Sequence, residues 1–250
     1  MTVAKNGMES TGLKWNDKKC AVIHVKREQV EQGSGDIKIA DLKPIKSLDQ
    51  HNTYKFLGVF ENTKQEDKQV LETAAKTYLQ RLSIIWSSPL SDRAKVVTSN
   101  QYALPVLTYL MSTLTWPIAN IQERDREGRK IIVENGGNHP KGSTAILYMP
   151  RKLGGRGLKS VENEYKNTKI KAAVKLYCNA DPTMAAVRSF EELAVQNGHH
   201  SIIKDAKKYA EELDLQLWLN FPNPVAVADG KEVEAKNLQS PSAGDTINGI

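Results

Sequence analysis

The sequence predicts an α+β protein that is mostly α: a small incomplete antiparallel sheet followed by a helical domain. Three observations predict it. Short apolar, β-branched runs, with a Gly/Ser turn between them, are confined to residues 11–60. After Glu61 the apolar residues recur every three to four positions instead. Residues 221–250 are rich in Pro, Gly, Ser and Asn and poor in large apolar side chains, the composition of a disordered tail. A chain of 250 residues is long enough for one or two domains with a core, and 40% hydrophobic and 26% charged residues are ordinary for a globular protein.

In the first segment, Ala21–Val25 reads as a buried strand, Gln32–Asp36 as a turn, and Asp36–Ile39 as a strand able to pair back. Tyr54–Phe60 is the third strand candidate. Three such strands cannot bury a core by themselves, so an exposed edge is expected. The helical pattern opens near 64–87, where Val70, Ala74, Tyr78, Leu82 and Ile85 form one stripe, widened by Leu71, Ala75, Leu79 and Trp86. Pro89 stops it, and Ser91–Asp92 caps a helix near 92–103. Pro105 either kinks that helix or starts another. A charged helix near 120–134 ends at Gly136–Gly137. Residues 136–157 hold six glycines around the apolar run Ile146–Met149, which reads as a strand or helical turn between loops. Helices near 160–179, 182–196 and 200–219 complete the pattern; in the first, Val161, Tyr165, Thr168, Ala172 and Leu176 share a face. The expected organisation is thus 1–60, 61–135, 136–220 and a tail at 221–250.

Val96–Gln122 carries no charge over 27 residues, but ten are Ser, Thr, Asn or Gln, and Pro105 and Pro117 interrupt it. A buried helix pair fits better than a bilayer span. Residues 1–10 are polar, without the apolar core of a secretory signal. Cys20 and Cys178 lie far apart, so neither a disulfide framework nor a zinc site is indicated, and a nuclear or cytoplasmic location is expected. His24, His51, His139, His199 and His200 form no ligand pattern with Cys or carboxylates, and His199–His200 reads as a surface cap. Trp15, Trp86, Trp116 and Trp218 read as core.

The net charge of +6 is unevenly placed. Within residues 141–175 nine Lys or Arg face two Glu, which gives +7 and leaves −1 for the rest of the chain. Lys141, Arg151, Lys152, Arg156, Lys159, Lys166 and Lys169 are the candidate contacts to a polyanion such as a nucleic-acid duplex. The competing reading is a solvated basic helix face. Arg151, Lys152 and Arg156 stand among glycines, so phosphates could meet side chains and exposed backbone N–H groups together. The alternative is a demanding turn with Gly154, Gly155 and Gly157 at positive φ.

Four short blocks resemble the reverse transcriptases of non-LTR (LINE-type) retrotransposons over roughly residues 8–195. Gly12-Leu-Lys-Trp-Asn16 followed by Lys19-Cys-Ala-Val-Ile-His-Val-Lys26 is similar to that family's G-L-x-x-N-x-x-K palm block. Tyr54-Lys-Phe-Leu-Gly-Val59 is similar to its primer-grip hairpin. His139-Pro140, Leu147-Tyr-Met-Pro-Arg151 and Gly154-Gly-Arg-Gly-Leu158 resemble the thumb-side block that precedes a long helix. Each block is weak alone; four in the family's order are specific together.

The resemblance implies an RNA-directed DNA polymerase that uses magnesium. It implies primer contact through Tyr54, Lys55, Phe56, Leu57 and Gly58, with a core strand as the competing reading. It also matches Lys19 to the palm lysine that gives a proton to the leaving pyrophosphate, where a surface lysine beside a strand is the alternative. One departure is decisive. The chemistry needs carboxylates clamping two metals about 4 Å apart. The family's aspartates lie upstream of the G-L-x-x-N block, yet residues 1–11 contain none, and no Asp-Asp pair occurs anywhere. The sequence therefore predicts a palm end and thumb, separated from its upstream palm and fingers, with no catalytic residue, metal or cofactor of its own. It would keep surfaces for a primer–template duplex. The alternative is a helical protein-interaction module or a decayed fragment.

Overall fold

The computed structural model describes residues 7, 9–12, 20–22, 24–26, 29–30, 46–47, 54–56, 59–61, 67–228 and 231–234. The architecture is α+β and mostly helical, and the chain divides into two compact units, Met1–Val70 and Leu71–Ile250.

The first unit carries more and shorter strands than the sequence suggests. The run expected as one strand is broken into β1 (Ala21–Val22) and β2 (Val25–Lys26). β1 pairs in parallel with β4 (Lys46–Ser47), while β2 forms a hairpin with β3 (Gln29–Val30). A continuous apolar run does not say where pairing changes partner, because periodicity cannot distinguish one strand from two. Tyr54–Phe60 likewise folds back on itself. β5 (Tyr54–Phe56) pairs antiparallel with β6 (Val59–Glu61), with Phe56 opposite Val59. The expected turn at 32–36 and strand at 36–39 lie outside the described residues.

α1 (Asp67–Ser87) begins in the last residues of the first unit; its part in the second unit buries the expected stripe, including Ala74, Tyr78, Leu82 and Trp86. Ser91 caps α2 (Asp92–Thr98) by accepting from the Ala94 N–H. The helix then widens into one π turn, Ser99–Ala103, before α3 (Pro105–Thr113) starts at Pro105. Proline at the first helical position loses no hydrogen bond it could have made. α4 (Ile118–Glu134) and the single-turn α5 (Thr144–Tyr148) follow. No described helix is long and apolar enough to cross a membrane.

α6 (Val161–Cys178) is the central helix, packed by α3, α4 and the later α8 (Ile202–Glu211). It is buried on almost every side, and Lys175 is its only fully exposed residue. A solvated basic helix face was the competing reading of the sequence; packing leaves Lys175 as the one exposed lysine of this helix, with Lys166 and Lys169 buried. α7 (Pro182–Gln196) is arranged in the opposite sense to a usual amphipathic helix. Its inner side carries charge. Arg188 donates to the carbonyls of Leu176 and Asn179 at 2.9 and 2.6 Å, Glu191 accepts from Ser201 Oγ and the Ile202 N–H at the start of α8, and Glu192 accepts from the Tyr177 hydroxyl. Its outer side exposes Val187, Phe190 and Leu193.

Two readings of the C-terminal region are corrected. The helix expected to reach residue 219 ends at Glu211, and β7 (Gln216–Trp218) follows Asp214 at φ 55°. The segment expected to be a disordered tail supplies β8 (Val225–Ala228) and β9 (Lys231–Glu234), which complete an antiparallel sheet in the order β7-β8-β9. Bulk composition hid the short alternating Val-Ala pattern of residues 225–228. Trp86 and Trp116 are core, whereas Trp218 is 45% exposed.

Candidate nucleic-acid interface

The glycine-rich segment folds as a compact loop over the end of α5. Pro150 is followed by a 3-10 turn, Arg151–Leu153, and the chain then reverses. The N–H groups of Gly155, Arg156, Gly157 and Leu158 donate to the carbonyls of Pro150, Ile146, Met149 and Leu147. Asn100, in the π turn, closes the far side: its amide donates to the Gly157 carbonyl at 2.9 Å and its oxygen accepts from the Lys159 N–H at 3.0 Å. A π turn places a side chain out of helical register, a feature common at functional positions. Two glycines are needed here for different reasons. Gly157 holds φ +74°, and any Cβ at Gly155 would collide with the Met149 carbonyl. Gly155 is not at positive φ, contrary to expectation, while Gly154 and Gly157 are. The N–H groups from Leu153 to Leu158 are thus consumed internally and are not free to meet a phosphate.

Those side chains border a groove of about 330 Å³. Arg151, Lys152, Arg156 and Lys159 line it together with Tyr148 and Asn100. Arg151 and Lys152 are exposed and pair with no acid among the described residues. Arg156 is tethered to Asp92 at 3.3 Å, an ion pair without hydrogen-bond alignment, and Lys159 to Glu164 at 3.1 Å.

The other candidates sit elsewhere. Lys141 is exposed in the turn before α5 and does not line the groove. Lys166 and Lys169 are withdrawn into the core on α6, at 8% and 5% exposure, which removes them from any solvent-facing basic face. Burial works against the Lys166 ammonium, yet hydrogen bonds to Glu162 and Glu212 outweigh it and raise its pKa. Lys169 donates to the Leu114 carbonyl at 3.0 Å; burial lowers its pKa, against a smaller opposing pull from Asp205. The +7 of the sequence segment therefore reduces at the groove to two untethered and two tethered cations. In the first unit, Tyr54, Lys55 and Phe56 form β5; Lys19, Leu57 and Gly58 lie outside the described residues.

Sequence reasoning missed Asn100, Asp125 and Tyr148. Asp125 accepts from Ser160 Oγ at 2.7 Å and from the Val161 and Glu162 N–H groups at 2.9 and 3.1 Å, so it fixes the start of α6 directly after the loop. A signal existed for it. Ile121, Asp125, Gly128 and Ile132 recur at helical spacing and are all buried, which puts Asp125 on the inner stripe of a charged helix. Tyr148 accepts from Arg129 Nη1 at 3.0 Å, and burial, reinforced by the charge of Asp125, pushes its phenol up to about 12. Among the described residues no group of three or more His, Cys, Asp or Glu could hold a metal ion. No protein-family model, curated protein or solved structure matches the chain.

Proposed function

We propose that this chain binds the phosphate backbone of a nucleic-acid duplex, as the palm-end and thumb portion of a non-LTR-type reverse transcriptase. One observation carries the reading: Arg151 and Lys152 stand exposed and unpaired at a groove where Arg156 and Lys159 are held beside them. Cations fixed along one edge match the repeated charge of a duplex backbone. The order of the four sequence blocks supplies the family. The 250 residues contain no Asp-Asp pair, so the reading assigns them binding and not nucleotide transfer. The test is duplex binding by the wild-type chain beside Arg151→Ala/Lys152→Ala. The double variant is expected to bind at least tenfold more weakly with unchanged circular dichroism; equal affinity would remove the groove from the interface.

A second reading, a helical protein-interaction module, is favoured by α7, whose exposed Val187, Phe190 and Leu193 form an apolar stripe on a helix with its charges turned inward. If that stripe is the working surface, Phe190→Asp abolishes partner capture and leaves duplex binding intact.

A further inference from the structure

The groove beside the glycine loop is larger and more apolar than a phosphate seat requires. A backbone phosphate needs donors and cations at a surface. Here Val96 and Leu158, both buried, together with Val97, Tyr148 and Pro150, supply much of the wall. The volume of about 330 Å³ falls within the range of small-molecule sites, about 300–1,000 Å³. Tyr148 is anchored from its far side by Arg129, which also lines a neighbouring polar pocket with Asp125 and Arg126. The ring is therefore a fixed wall. Arg151, Lys152, Arg156 and Lys159 line the groove together with this apolar surface, and the N–H groups of Gly155, Arg156, Gly157 and Leu158 are already committed to carbonyls.

We propose that this groove seats one unstacked nucleotide of a bound strand, its base against Tyr148 and Val97 and its phosphate at Arg151 and Lys152. The inference rests on the nucleic-acid reading above and deepens it, because it names an unpaired nucleotide as the ligand. Bases present a π-face and tolerate an aromatic or aliphatic wall without sequence preference.

The test uses the full chain and three probes at low salt: inorganic phosphate, AMP and a blunt duplex. AMP is expected to bind about tenfold or more tightly than phosphate, the scale set by base–aromatic stacking. Val97→Asp, at a position 42% exposed and so tolerant of change, is expected to erase the AMP advantage and leave a marked share of duplex binding. Equal binding of AMP and phosphate, with the duplex still bound, overturns the nucleotide seat alone. An AMP advantage that survives Val97→Asp and also survives Tyr148→Ala/Val97→Asp, with circular dichroism unchanged, overturns it as well, since the base then sits elsewhere. Failure of the blunt duplex to bind at low salt overturns the nucleic-acid reading and this inference with it.

Discussion

Gly155 determines how tightly the basic loop closes, because its Cα lies against the Met149 carbonyl with no room for a methyl group. Gly155→Ala should destabilise the second unit by about 1–3 kcal/mol through overpacking, measured as a shift in urea midpoint. It should also weaken duplex binding, since Arg151 and Lys152 ride on the displaced segment. The glycine cluster was legible in the sequence as a demanding turn. What was not legible was the fate of its N–H groups. Whether Gly155, Arg156, Gly157 and Leu158 point at solvent or at the carbonyls of 146–150 depends on the chain folding back, which no local pattern states. Lys166 and Lys169 illustrate the same limit. Their spacing puts them together on a helix, but only the packing partners decide whether that side faces water or Glu212 and Leu114.

At the scale of elements, Asp125 links two helices by capping α6 from the middle of α4. Its loss strands three donors at a buried helix start. Asp125→Ala should cost about 2–3 kcal/mol, a cap plus unsatisfied buried donors, whereas Asp125→Asn keeps an acceptor and should cost less; thermal unfolding of both variants checks the order. Helix positions were readable where apolar spacing and caps agree. The expected helix at 182–196 coincides with α7, Pro182–Gln196. The reading failed where a pattern was short. Four residues of Val-Ala alternation are enough for β8 once β7 and β9 flank it, but too few to stand out against a polar tail. It failed again where sense was inverted: α7 turns Arg188 and Glu191 inward because the ends of α6 and α8 supply the carbonyls and N–H groups they satisfy.

For the whole molecule, buried phenols dominate the response to alkali. Burial, with help from neighbouring carboxylates or phenols, raises Tyr78, Tyr177 and Tyr209 well above the usual 10.0; burial also raises Tyr165, and Tyr148 to about 12. Above about pH 10 the unfolded chain releases these protons while the folded chain keeps them. The unfolded state then binds fewer protons, and stability falls as pH rises. Lys169 acts in the other direction: its lowered pKa makes the unfolded state bind more protons just below 10.5, so its cost is relieved with rising pH. Five phenols outweigh one ammonium. The expected outcome is a steep loss of the urea midpoint between about pH 9.5 and pH 11, coincident with tyrosinate absorbance; a flat profile would mean the phenols are solvated.

In the proposed interface a +7 segment presents only a few working cations, grouped at one groove. The salt dependence of duplex affinity counts them, since log K falls by about 0.9 per neutralised phosphate for each tenfold rise in salt. Two untethered cations and two tethered ones predict a slope between about −1.8 and −3.6, and Arg151→Ala/Lys152→Ala should reduce its magnitude by about 1.8. A wild-type slope near −6, as seven contacts would give, or a slope unmoved by the double substitution, would contradict the account.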